Sequence, residues 1–280
     1  MEMAAKHDAG SPVEKCDIIR CEDGICSVSE ENLIGEEPLL IRVEGQPYSV
    51  IMRTPGEETF HAAGFCLAEG LVDRPGDIAT IGHCADMDPN VVEVTLHPLR
   101  KKEVAPLLER RGFVSQTSCG ICGKELIEDM CQAIRPVKDE TEISVDKAIA
   151  CVEKIDEFQK YYKKTSGSHA VILFDSEVNV LSVAEDVGRH NSLDKAIGKL
   201  FLARKLDQAR VAVLSSRISY ELVQKAARAQ IPIMISMSRP TALAVDLGRS
   251  LNMTLACTGK KSGLMIFCGE ERLDRNGYVG

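Results

Sequence analysis

The chain has 280 residues, 44% of them hydrophobic, enough to bury one large core or two modest ones. Aromatics make up only 4%, Trp is absent and the net charge is −8, which argues against base-stacking platforms and against broad binding to nucleic acid or anionic membranes. Eleven cysteines, an odd number over this length, do not read as a secreted disulfide framework; the polar N-terminus lacks an apolar signal core and no stretch reaches membrane-span length. A soluble, cytoplasmic protein is expected.

Residues 1–15 read as a flexible tail. Cys16, Cys21 and Cys26 follow at intervals of five, a spacing unlike a metal loop and read as core or incidental. A smaller β-rich N-terminal domain is expected over 16–113. Within it, residues 38–53 form two strands around Glu44-Gly45-Gln46, and Thr54-Pro55-Gly56 turns the chain. Phe60, Ala63, Gly64, Leu67 and Leu71 then share a helical face that Gly70 terminates. Strands are expected at 78–82 and 91–96, and a helix around 103–111. Residues 114–124 form a mobile loop, and 125–165 a helical connection with helices at 125–134 and 145–164. From 166 to 280, strands and helices alternate: strands at 170–174, 178–183, 211–214, 233–235, 253–256 and 264–267, with helices over 193–201, 220–229 and 242–251. Asn191 or Ser192 is expected to cap the first of these helices. This alternation predicts an α/β fold, a layered domain with helices covering a mostly buried sheet.

The loop at 114–124 holds Ser118-Cys119-Gly120-Ile121-Cys122-Gly123-Lys124, a Cys-x-x-Cys pair with no second pair to complete a zinc ribbon. The glycines suit an accessible turn, and Lys124 favours thiolate over thiol. Three readings stand at this point: a zinc ligand in a metal-stabilised binding module, a dithiol oxidoreductase couple, or a sulfur carrier by persulfide. No metal ligand set is assigned. The glycines are too close for a P-loop, and the His-x-Glu of a zinc deaminase is missing.

Four polar clusters interrupt the apolar pattern. Arg53-Thr54-Pro55-Gly56-Glu57-Glu58 is either a turn whose acids favour a helix N-terminus or a place where Arg53 meets an anionic ligand. Glu185-Asp186-Val187-Gly188-Arg189-His190-Asn191-Ser192-Leu193-Asp194-Lys195 follows a strand and opens a helix, where α/β sheets gather anionic ligands, and Arg189 and His190 supply donors. Ser215-Ser216-Arg217-Ile218-Ser219-Tyr220-Glu221 repeats that arrangement, so both loops are expected to face one pocket. Thr258-Gly259-Lys260-Lys261-Ser262-Gly263 is a polar hairpin turn whose amides and lysines also suit phosphate.

Taken in order, Arg53-Thr-Pro-Gly-Glu, Gly64-Phe65 with Glu69-Gly70, Ser118-Cys-Gly-Ile-Cys-Gly-Lys124, Glu185-Asp-Val-Gly-Arg-His-Asn191 with Leu193-Asp-Lys195, and Ser219-Tyr-Glu-Leu-Val-Gln-Lys-Ala-Ala227 resemble the formate dehydrogenase accessory sulfurtransferase family over about residues 35–268. The resemblance implies sulfur transfer from a cysteine desulfurase to the molybdenum cofactor in its bis(molybdopterin guanine dinucleotide) form, for use by formate dehydrogenase. It also implies a homodimer and a cytidine-deaminase-like C-terminal domain without the deaminase zinc. Carried onto this sequence, it makes Cys119 the persulfide carrier, Cys122 its partner and residues 258–263 the cofactor-binding loop. The sequence departs from the family there, with Lys260 and Lys261 in place of arginines and an aromatic residue. Lysine keeps the charge but not the bidentate geometry.

Overall fold

In the computed structural model, residues 10–83, 88–109, 134–259 and 263–276 are described. The chain opens with a ribbon in which β1 (Val13–Glu22) and β2 (Ile25–Ile34) pair antiparallel, Val13 opposite Ile34 and Cys21 opposite Cys26. Strand structure therefore starts within the segment read as a tail. Cys21 and Cys26 are neither core nor incidental: they are exposed and joined by a disulfide, because cross-strand neighbours at a hairpin end lie within bonding reach.

Next, β3 (Glu37–Val43) and β4 (Gln46–Arg53) form the expected hairpin, with Glu44 and Gly45 at φ 54° and 76°. Two left-handed central residues match the twist of the flanking strands. Helix α1 (Glu58–Ala68) follows and ends ahead of Gly70, whose φ is 76°. β5 (Ile78–Gly82) and β6 (Val91–Leu96) complete a four-stranded sheet ordered β4-β3-β6-β5. Its alternate residues Leu39, Ile41, Val43, Val92, Val94 and Leu96 are buried with α1 in one cluster.

Two short helices, α2 (Pro98–Glu103) and α3 (Ala105–Glu109), replace the single helix expected at 103–111. The first starts early because Pro98 suits a first helical position and the His97 side chain accepts from Leu99 N. The long helix expected at 145–164 is also divided. After the short strand β7 (Ile143–Ser144) come α4 (Val145–Glu153), α5 (Ile155–Phe158) and α6 (Tyr162–Thr165). The buried Glu185 carboxylate accepts from the backbone N–H groups of Tyr161 and Tyr162 at 2.9 and 3.0 Å, removing them from a helical ladder. The expected helix at 125–134 lies outside the described residues, apart from its last position.

The second half is a six-stranded sheet ordered β13-β12-β11-β10-β8-β9. Its strands are β8 (His169–Phe174), β9 (Val180–Asp186), β10 (Val211–Arg217), β11 (Ile233–Ser238), β12 (Thr254–Thr258) and β13 (Leu264–Cys268). β10, β11 and β12 are parallel, with β8 and β13 antiparallel on either side. A two-residue strand, β14 (Leu273–Asp274), pairs with β7. Both faces of the large sheet are covered. Val171, Leu173, Ala212, Leu214, Met234 and Leu255 join the core that includes α7 (Arg189–Leu202), α8 (Tyr220–Arg228) and α9 (Ala242–Ser250). Ala170, Ile172, Phe174, Val213, Ile233 and Ile235 cluster instead with α4 and α5. Strands buried on both faces read as continuous apolar runs, which is why the sequence pattern found them.

Helix α1 crosses α7 at backbone contact distance. A methyl group on Gly64 would meet the Asp194 carbonyl, and one on Gly198 the Phe60 carbonyl. One buried cluster consequently runs from the four-stranded sheet through α1 and α7 to the six-stranded sheet.

Candidate functional site at the strand ends

β9, β10, β11 and β12 run in the same direction and finish on one edge, at Asp186, Arg217, Ser238 and Thr258. Helices α7, α8 and α9 begin there. Gly188 and Ser219, which precede α7 and α8, make no side-chain cap, whereas Thr241 accepts from Ala244 N ahead of α9. The first-turn amides of α7 and α8 thus lack a capping side chain, and the positive ends of three helices meet at one edge.

Side chains add cationic donors at this edge. Arg189 opens α7, and its Nε is buried without a hydrogen-bond partner. His190 places Nε2 3.1 Å from Ser219 Oγ and 2.9 Å from Glu221 Oε2, so the Ser219 hydroxyl faces the histidine rather than capping α8. That histidine contact, opposed by burial, holds the Glu221 carboxyl below its ordinary value. His169 starts β8 opposite Asp186; burial, helped by the Arg189 guanidinium, lowers its pKa and favours the neutral ring. Arg217 and Arg239 are both exposed. Among the described residues, no carboxylate lies within ion-pair distance of Arg189, Arg217 or Arg239, whereas Arg53, Arg100, Arg210 and Arg228 are all paired.

Beneath the edge lies a buried polar network. Asp186 is fully buried and accepts from Thr54 N, Gly188 N and Asn191 Nδ2 at 2.8–3.1 Å. The Lys195 ammonium sits 2.7 Å from its Oδ2 and also donates to the Thr54 carbonyl. Asn191 Nδ2 reaches the Met52 carbonyl, and Val187 N donates to Thr54 Oγ1. These bonds fasten the 52–54 segment to the 186–195 segment. Neither Asn191 nor Ser192 caps α7: the helix starts at Arg189, and the Asn191 amide is spent on this network. Deeper still, Asp194 pairs with Lys225 at 2.7 Å, and His61 is fully buried with neither ring nitrogen hydrogen-bonded. Burial, with the charges of Lys195, Lys225 and Arg53, holds the His61 pKa well below its ordinary value.

The sequence-derived residues separate into groups. Arg189, His190 and Arg217 come together at the strand-end edge, with Thr258, Gly259 and Gly263 at its β12–β13 turn, where Gly259 N donates to the Gly263 carbonyl. Arg53 is turned inward, 1% exposed, against Glu58 at 3.0 Å, Glu37 at 3.7 Å and the Asn90 side chain. Cys119, Cys122, Lys260, Lys261 and Ser262 lie outside the described residues. Sequence reasoning missed Arg239 and His169 and placed Glu221 in the third polar cluster without giving it a role. Arg239 was findable, because it follows β11 and precedes α9 in the same strand–loop–helix pattern as Arg189 and Arg217. A cleft of about 740 Å³ opens among Asp73, Arg100, Arg204 and Arg228, and one of about 410 Å³ among Glu57, Tyr161, Glu185 and Lys199. Neither takes in Arg189, His190 or Arg217. Among the described residues, no group of three or more His, Cys, Asp or Glu is placed to hold a metal ion, and no helix is long and apolar enough to cross a membrane.

Residues 34–274 match the model of the FdhD/NarQ family. The chain is 34% identical to the sulfur carrier protein FdhD of Streptomyces coelicolor, over 97% of this chain and 99% of that one. It is 33% identical to the sulfur carrier protein FdhD of Sulfurisphaera tokodaii, over 93% and 99%. The fold also superposes on the crystal structure of a formate dehydrogenase accessory protein from Desulfotalea psychrophila, with a TM-score of 0.74 and 20% identity, covering 94% of this chain and 99% of that one. The chain belongs to the FdhD/NarQ family.

Proposed function

We propose that the protein is a sulfurtransferase that carries sulfur on Cys119 and delivers it to the bis(molybdopterin guanine dinucleotide) molybdenum cofactor required by formate dehydrogenase. The observation that carries this reading is that, among the described residues, three arginines without carboxylate partners and two helix N-termini without side-chain caps gather on one strand-end edge. Such an edge suits a large ligand with several phosphates. Relatives named as sulfur carriers, and the Cys119-x-x-Cys122 pair, supply the other half.

In the loading step the Cys119 thiolate attacks the outer sulfur of a cysteine desulfurase persulfide. The donor S–S bond breaks, the donor leaves as a thiolate, and Cys119 holds the transferred sulfur as its own persulfide. Cys122 stands ready to take that sulfur or to displace it. At the other site, Arg189, His190 and Arg217 hold phosphates of the cofactor, which is the substrate, and the 258–263 turn adds backbone amides and two lysines. Arg239 supplies the planar guanidinium geometry that Lys260 and Lys261 lack. The strand order β9-β8-β10-β11-β12-β13 supports cytidine-deaminase-like layering. A cytoplasmic homodimer completes the proposal.

Calorimetry with a guanine nucleotide tests the cofactor half. Replacing Arg189 by Ala removes charge-assisted hydrogen bonds, and affinity is expected to fall about tenfold or more. Unchanged affinity at low salt would take Arg189 out of the site.

A further inference from the structure

We infer that Cys21 and Cys26 form a reversible thiol–disulfide site, a two-electron switch that sets whether the tip of the β1–β2 ribbon is held as a strand pair. The site lies ahead of residues 34–274, the span matched by the family model. At its base the ribbon is anchored: Gly35 N donates to the Pro12 carbonyl, Gly10 N to Glu37, and Ile34 packs on Gly167. Its outer part is different. Every residue from 19 to 28 is exposed, including Ile19 at 70%, Ile25 at 73% and Val28 at 71%. No core supports this tip, and an isolated two-stranded hairpin is marginal in water. Cross-strand pairs such as Lys15–Glu30 and Arg20–Glu31 are exposed and contribute little. The disulfide, with a sequence separation of 5, is the one covalent tie across the tip.

The remaining described cysteines cannot substitute for this pair. Cys66, Cys151, Cys257 and Cys268 are buried, and burial pushes their thiols up, to about 12 for Cys151. Such thiols are poor partners in exchange. Cys16 lies five residues before Cys21 on the opposite face of the ribbon, roughly 17 Å along the strand. Among the described cysteines, exchange at the tip is therefore confined to Cys21 and Cys26.

The chemistry needs a dithiol reductant. Its thiolate attacks one sulfur of the bridge, the S–S bond breaks, and the expelled cysteine leaves as a thiolate that takes up a proton. The reductant's second thiol then attacks the mixed disulfide, closing the reductant's own disulfide and freeing the other cysteine. Two electrons and two protons pass to the pair. Removing the tie restores chain entropy to the opened tip, so opening becomes at least about tenfold more favourable.

The test uses the full chain, equilibrated in mixtures of oxidised and reduced dithiothreitol without denaturant, then alkylated and mapped by mass spectrometry alongside amide hydrogen exchange. Cys21 and Cys26 should titrate together. Reduction should speed exchange at residues 19–28 by about tenfold or more and leave the six-stranded sheet unchanged. The doubly substituted Cys21→Ser, Cys26→Ser chain should show the fast exchange under oxidising conditions. A bond that yields only in denaturant, free thiols in air-equilibrated protein, or equal exchange in both redox states would each overturn the inference.

Discussion

Asp186 and Arg189 stand three residues apart and serve opposite purposes. The Asp186 carboxylate is sealed inside, binding three backbone or side-chain donors and the Lys195 ammonium, while Arg189 keeps a donor unspent at the strand-end edge. Replacing Asp186 by Ala leaves Lys195 buried and uncompensated, so stability in urea unfolding should drop by about 3–5 kcal/mol. A loss below 1 kcal/mol would mean that the network holds little. His61 gives a pH signature. Its folded pKa lies well below the ordinary 6.5, so as pH falls through 6.5 the unfolded chain binds a proton that the folded chain refuses. Stability should then decline toward acid, by up to about 1.4 kcal/mol per pH unit from this group, and be fully present above pH 6.5. His61→Leu should flatten that slope, and an unchanged slope would assign it elsewhere. At this scale the sequence was half legible. It marked residues 185–191 as unusual, but could not say which side chains point inward, because that depends on α7 starting at Arg189.

Between elements, the closest approach is the crossing of α1 and α7. On an exposed helix, Gly→Ala stabilises by about 1 kcal/mol. At Gly198 the added methyl meets the Phe60 carbonyl of the other helix, so Gly198→Ala should destabilise, by about 2–3 kcal/mol, in thermal or urea unfolding. A stabilised variant would show that the helices are not packed backbone to backbone. The elements themselves were largely readable. Strands 78–82 and 91–96 and the hairpin around Gly45 stand where period-two alternation and turn residues put them. The failures have a shared cause. The helix expected at 145–164 is divided by a carboxylate from β9, and the ribbon is closed by a cross-strand disulfide; both depend on partners distant along the chain or across a turn.

Across the whole molecule, an acidic chain of net charge −8 pairs many of its arginines with carboxylates, yet among the described residues Arg189, Arg217 and Arg239 on one edge have no carboxylate partner. Their grouping gives that edge a local cationic character of the kind that attracts anionic ligands. The layered α/β half was legible because its strands are buried on both faces. The joining of both sheets into one core was not, because it rests on two glycines whose role only the α1–α7 crossing reveals. The central claim concerns Cys119, and its most direct test is mass spectrometry of the intact protein after incubation with a cysteine desulfurase and cysteine. The account predicts a gain of one sulfur atom, mapped to Cys119, removed by a thiol reductant and absent from Cys119→Ala. A wild-type chain that gains no sulfur, or a Cys119→Ala chain that gains as much as wild type, would contradict it.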